Sequence, residues 1–480
     1  MEYEPVIGLE VHVQLKTKSK AFCGCSTEFG KEPNSQVCPV CLGFPGSLPV
    51  LNRVFLDYAI KVALALNCTV QEKHKFDRKN YFYPDLPKNY QISQYDLPLS
   101  KKGYLDIVVG DKTKRVGINR VHMEEDAGKL IHEEDTSLVD FNRTGIPLLE
   151  IVSEPDMNSP EEAYEYLTFL KSVLGYLDVS DCDMEKGSLR CDVNVSLRPK
   201  GVLALGVKAE LKNMNSFKGT KDALVFEIRR QEEILREGGK VIQETRLWDA
   251  KLSETFSMRV KEEAKDYRYF PEPDLAPFII SAQKLEEIKK NIPELPRQKL
   301  ERFVKDFCLS EGSAKILVGI KKDADYAQSC IESWEGKDKK PVVNWLIGPL
   351  LFEANKRKCG ISDLNIPGGN IELINLIKSA EEAKISNLAA KGVLSESLDT
   401  AKLAREIILE KNLYQVSDTE SLDKIAEEII KGNPKSVMDY KQGKANAIMF
   451  LVGQMMKKSN GKANPIVARD ILKKMLTDGG

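Results

Sequence analysis

Four cysteines open the chemistry of this chain. Cys23-Gly24-Cys25 is followed, after twelve residues, by Cys38-Pro39-Val40-Cys41. Two close thiol pairs joined by a loop suit a tetrahedral four-sulfur site of the kind zinc takes. Four thiolates leave no open position for a reacting water, so such a zinc would be structural. The first pair is one residue tighter than the usual spacer, and Gly24 permits the unusual dihedrals this needs. Buried free thiols or a redox pair are the other readings of the same four residues. Cys68, Cys182, Cys191, Cys308, Cys330 and Cys359 are scattered and read as packing residues.

The second constellation is acidic. Val6 to Val13 alternates so that Ile7, Leu9, Val11 and Val13 share one face and Glu10 and His12 the other. A hard cation wants oxygen ligands, sometimes with an imidazole. More acids come from His122-Met123-Glu124-Glu125-Asp126, and Glu150 stands inside the apolar run Pro147 to Val152. A charge there is costly unless it is paired or binds a metal. The residues leave two readings open: a metal site, or a structural carboxylate paired with Arg143 or Arg120. His122 and His132 read equally well as ordinary partly buried histidines. Neither a P-loop nor a dinucleotide fingerprint is present, so any ATP is held by other means.

These side chains need a scaffold, and 480 residues with 42% hydrophobic content can supply one. The 71 basic residues against 72 acidic exclude a uniformly basic nucleic-acid coat. No apolar stretch approaches the ~20 residues of a membrane span. The N-terminal residues carry acids and no basic apolar leader, and the cysteines do not spread like a disulfide framework; a cytoplasmic enzyme without a membrane partner is expected.

The expected class is α+β. Short alternating strands recur in residues 1–291, interrupted by helices such as the one opened by Pro160-Glu161-Glu162-Ala163. Leu189 to Leu197 repeats the alternation, with Arg190, Asp192 and Asn194 on the polar face. From Ala282 helical spacing dominates. We therefore expect an all-α domain at 292–400 and a small all-α tail at 401–480. Ser417-x-x-Glu420 spells a capping box, Gly432 and Pro434 end that helix, and Asn464-Pro465 starts the last one. Residues 431–480 hold ten Lys or Arg against three Asp, the main hint of a polyanionic partner.

Long strings now resemble a known family. Val6 to His12, Phe76 to Asp85, His122 to Gly128 and Asp140 to Glu150 are similar to the B subunit of aspartyl/glutamyl-tRNA amidotransferase. So are Gly187 to Asn194, Lys208 to Asn213, Asp266 to Pro273 and Phe450 to Gln454. The strings occur in the family's order and span essentially the whole chain.

The resemblance implies a mixed α/β cradle carrying the catalytic site, a helical domain and a tRNA-binding helical tail. It implies an enzyme that binds Glu-charged glutamine tRNA, Asp-charged asparagine tRNA or both, and phosphorylates the side-chain carboxylate with ATP and magnesium. Ammonia then displaces the phosphate, arriving through a tunnel from the amidase, which is the glutaminase of the complex; a small third protein clamps the amidase to this chain. No DNA partner is implied. Position by position, His12, Glu125 and Glu150 match the magnesium ligands, with Glu10 adjacent and Glu124 a neighbouring acid. Glu10, His12, Glu125 and Glu150 are thus the expected catalytic set. Lys79, Arg190 and Lys208 lie in family strings and are expected at the ATP phosphates, while Tyr81, Phe82, Tyr83, Tyr90 and Tyr95 could stack on a nucleobase. Lys457, Lys458, Lys462 and Arg469 are expected to meet tRNA phosphates. The cysteine quartet is compatible with the family, where some members carry zinc. A tRNA-presenting scaffold and a zinc hydrolase are the competing functions. The scaffold has no need of buried metal-binding acids, and the hydrolase needs an open zinc position.

Overall fold

The computed structural model describes residues 2–260, 266–414, 419–444, 446–459, 463 and 465–478. It divides into two compact units, Met1–Pro296 and Arg297–Gly480. The first is α+β and the second, among its described residues, is all helix.

A nine-stranded sheet forms the first unit. Its strands are β1 (Tyr3–Gln14), β2 (Thr69–Val70), β3 (Ser100–Val109), β4 (Lys112–Glu125), β5 (Pro147–Ser153), β6 (Leu189–Pro199), β7 (Ala209–Lys212), β8 (Glu244–Asp249) and β9 (Glu254–Val260). Their spatial order is β9-β8-β7-β6-β1-β5-β4-β3-β2. The first strand therefore lies at the centre. All pairings are antiparallel except β7 with β8.

One face of the sheet is covered. Ile7, Leu9, Val11 and Val13 point into a core with Leu149, Ile151, Leu189, Cys191, Val193 and Val195. Three helices add to it: α1 (Arg53–Ala65), α2 (Pro160–Leu177) and α3 (Phe217–Arg236). Each aliphatic side chain fully buried here contributes about 1.5–3 kcal/mol. Local signals set the helix starts. Ser159 Oγ accepts from the Glu162 N–H at 3.2 Å, with Pro160 at the first helical position. Helices collected on one face of a mostly antiparallel sheet leave the other face free for polar residues.

A small sheet adds to the first unit. Asp77–Asn80 pairs with Tyr90–Ser93 and with Phe270–Pro271. It is pinned by Arg78, which donates to Glu272 at 2.7 and 2.9 Å and stacks 4.2 Å over Tyr90.

In the second unit the last helices share one core. They are α4 (Thr419–Gly432), α5 (Pro434–Lys441), α6 (Ala447–Lys458) and α7 (Pro465–Asp478). Leu422, Ala426, Leu451, Met455, Ala468 and Leu472 are among the residues that meet there. Pro434 and Pro465 open their helices as expected of proline. Ser417 and Asn464 lie outside the described residues. Among the described residues no helix is long and apolar enough to cross a membrane.

Candidate functional site

Register builds the acidic site. On the open face, β1 places His12 opposite Glu150 of β5 and opposite Arg190 of β6. Glu150 in turn lies opposite His122 of β4. One row across four strands thus reads Arg190, His12, Glu150, His122. Glu124 shares the face of His122 because side chains alternate along a strand. One ligand atom each from His12, Glu124 and Glu150 lies within 4.8 Å of the others. His12 Nε2 is 3.7 Å from Glu124 and 3.6 Å from Glu150. His122 Nε2 is 3.0 Å from Glu150 and 3.7 Å from Glu124.

Two buried carboxylates this close need positive charge. Burial opposes the charged form of His122, but Glu150 and Glu124 prevail and push it up to about 9. The same contest raises His12. Burial would raise Glu150, yet His122 and His12 hold it well below the usual carboxylate range. Arg120 lies 3.7 Å from Glu150, so the arginine-paired reading is also present in part. The donor set of one imidazole and two carboxylate oxygens fits a divalent cation, whose charge would take over this neutralising role.

The two adjacent acids of β4 part company. Glu125 faces away from the cluster. It pairs with Lys88 and accepts from the Ile92 N–H at 2.9 Å, while its carbonyl accepts from Gln91 at 2.6 Å. The structure therefore gathers Glu124, rather than Glu125, with His12 and Glu150. Glu10 lies two residues before His12 on the same face of β1 and accepts from Asn194 at 2.9 Å.

The expected phosphate ligands are dispersed. Arg190 is bound to Asp126 at 2.8 Å, and Asp126 also accepts from Gln14 at 2.6 Å. Burial works against the charged Asp126, and Arg190 and Arg143 outweigh it. Lys79, on Asp77–Asn80, stands over the rings of Tyr267 and Tyr81 at 5.0 and 6.0 Å. Tyr267 makes an edge contact with Tyr269, which stacks on Tyr95 at 4.4 Å. Burial, with Glu124 and Glu150, pushes the Tyr269 phenol up. Lys208 is exposed. Lys212, the last residue of the short strand β7, instead pairs with Asp192, which lies opposite Glu10. Sequence reasoning passed over Gln14, Lys88 and Lys212. Strand parity was the available signal for Gln14, which follows Glu10 and His12.

The thiols converge as well. One sulfur each from Cys23, Cys25, Cys38 and Cys41 lies within 4.8 Å of the others. A tetrahedral zinc with ~2.3 Å bonds holds sulfurs about 3.8 Å apart, so the set fits. A hydrogen bond from Cys23, helped by the Cys38 N–H and Lys20 against the cost of burial, brings Cys41 down to about 5. The same bond raises Cys23, and burial pushes Cys25 up to about 11.

In the tail, Lys457 and Lys458 end α6 and Arg469 lies on α7, all three exposed. Lys458 pairs with Glu428, and Arg469 is 3.7 Å from Asp470. Lys462 lies outside the described residues.

Comparison with known proteins gives the family. Residues 5–286 match the model of the GatB/GatE catalytic domain, and residues 326–476 match the GatB domain. The B subunit of aspartyl/glutamyl-tRNA(Asn/Gln) amidotransferase from Thermoanaerobacter sp. (strain X514) is 53% identical over 478 residues, which is 99% of this chain and all of that protein. Proteins of the same name from Caldanaerobacter subterraneus subsp. tengcongensis and Persephonella marina are 54% and 52% identical, each over 99% of this chain and all of the relative.

Proposed function

Since this chain belongs to the B-subunit family of aspartyl/glutamyl-tRNA(Asn/Gln) amidotransferases, we propose that it is the kinase and amidation component of such an enzyme. It takes tRNA misacylated with Glu, Asp or both. A side-chain carboxylate oxygen attacks the γ-phosphorus of ATP, forming an acyl phosphate and releasing ADP. Ammonia then adds to the acyl carbon, inorganic phosphate leaves, and the lost proton passes to water. The products are Gln-tRNA(Gln) or Asn-tRNA(Asn).

The observation that carries this reading is the His12–Glu124–Glu150 cluster on the open face of the sheet. Bound magnesium supplies charge neutralisation for phosphates, and phosphoryl transfer depends mainly on such positioning. His12, Glu124 and Glu150 would hold it. His122 and Arg120 fix the Glu150 carboxylate, and Glu10 is fixed by Asn194. Arg190, opposite His12 across the strand pair, and Lys79, over Tyr81 and Tyr267, are assigned to phosphates. Glu125 enters as the Lys88-bound anion of the adjoining cavity. The four thiols are assigned to structural zinc. The amidase and the small clamping protein are the assigned partners, with ammonia reaching this chain from the amidase. Residues 401–480 are assigned to the tRNA body through Lys457, Lys458, Lys462 and Arg469, following a helical domain at 292–400.

The test is phosphate release from ATP by the assembled complex, with each charged tRNA in turn. Stimulation by one charged tRNA assigns the substrate. Glu124→Gln and Glu150→Gln are expected to lower the stimulated rate about 100-fold or more. Full stimulation in both variants would leave the tRNA-presenting scaffold instead.

A further inference from the structure

Lys20 is completely buried, at 0% exposure, and among the described residues it has no carboxylate partner. Its ammonium donates to the Phe141 carbonyl at 3.3 Å and to Cys41 Sγ at 3.7 Å. The surrounding backbone is fixed on both sides. The Lys20 N–H donates to the Cys25 carbonyl at 3.0 Å, and the Ala21 N–H to the Gly145 carbonyl at 2.8 Å. The Lys20 backbone is thereby anchored to the turn that carries the thiols.

A buried ammonium is costly unless an anion faces it. Lys20 and Lys88 line a cavity of about 180 Å³ together with Cys23, Cys41 and Glu125. Lys88 is committed to Glu125. The anion left for Lys20 is sulfur. A divalent ion held by four thiolates carries a net charge of about −2, and one adjacent ammonium removes half of it.

We propose that Lys20 is the charge-compensating residue of the four-cysteine metal site, positioning Cys41 and strengthening metal binding through it. The inference rests on the metal reading of the thiols. Its reach extends past the thiols. A methyl group added at Gly145 would sit 3.4 Å from Lys20 Cδ, 3.6 Å from Glu125 Oε2 and 3.7 Å from Cys41 Cβ. Lys20 thus shares one wall with both the metal site and the Glu125 ion pair.

Lys20→Met keeps most of the length of the side chain and removes its charge. The full chain, loaded with one equivalent of zinc, is titrated with a chromogenic chelator. Removing an outer partner of a metal ligand typically weakens affinity 10–100-fold, and that loss is expected here at about the same size. Equal affinity of Lys20→Met and wild type overturns the inference. Failure of the wild type to hold zinc overturns the metal reading itself, and this inference with it. The second measurement is the gain in melting temperature on adding zinc, taken for wild type and for Lys20→Met. The gain should be smaller in the variant, because its weaker binding adds less stability; an equal gain overturns the proposal.

Discussion

The two clusters of the first unit are built in opposite ways. The thiols come from one stretch of nineteen residues, Cys23 to Cys41, and meet through local turns. The acids and imidazoles come from three strands and are brought together by sheet register, His12 opposite Glu150 and Glu150 opposite His122. The local cluster is expected to be independent of the sheet's open face. The distributed one depends on every strand that contributes to it. The difference teaches that a structural centre can be read from spacing, whereas this acidic centre exists only after folding.

Four measurements break or sharpen that contrast. The largest effect is expected at the distributed cluster: Glu150→Gln should lower tRNA-stimulated phosphate release about 100-fold or more, with zinc content by elemental analysis unchanged. Loss of zinc in that variant would mean the two clusters are not independent. The reciprocal change, Cys41→Ser, should abolish stoichiometric zinc and lower the melting temperature, by about 2–4 °C for each kcal/mol lost. Activity of the protein that remains folded should persist, which a single-turnover assay below the melting range would check.

Between the clusters stands the Lys88–Glu125 pair, both side chains under a tenth exposed. Lys88→Met leaves a buried carboxylate without its cation, a change that costs about 3–5 kcal/mol. Urea unfolding should show that loss, and Lys88→Met combined with Glu125→Leu should recover much of it. No recovery would place Glu125 in a role beyond its ion pair.

The smallest effect is expected at His74, which is buried and stacks on Phe278 at 5.2 Å. Burial lowers the pKa of His74, only partly opposed by the Gln71 carbonyl. A neutral buried histidine stabilises the fold above the ordinary histidine value of about 6.5. That contribution is lost as pH falls through about 6.5 toward the lower folded value. His74→Leu should flatten the acid side of the stability profile; an unchanged slope would assign it to other groups.

Much of the frame was legible. The alternation of Val6 to Val13 and of Leu189 to Leu197 marked two strands that pair at the sheet centre. Pro160 and Pro465 marked helix starts, Gly432 marked a helix end, and the shift after Ala282 marked the helical half. The choice between Glu124 and Glu125 was not legible. Two neighbouring acids are equivalent until a strand fixes which one faces inward, and only pairing with β5 put His122 and Glu124 on the face of Glu150. Lys212 was hidden for the same reason, since its strand is four residues long and patterns weakly.

What the sequence alone determined was local: element type, the thiol quartet, and an acid set in an apolar run that had to find a positive partner. These follow from periodicity and from the cost of burying charge, which act within a few residues. Tertiary structure decided the rest. It selected Glu124 over Glu125, tied Arg190 to Asp126, and left Lys20 with sulfur as its anion. The first two outcomes depend on register between strands distant in the chain, where a shift of one residue turns a side chain to the opposite face. The third depends on enclosure, because a lysine without a carboxylate in reach takes whatever anion is buried beside it.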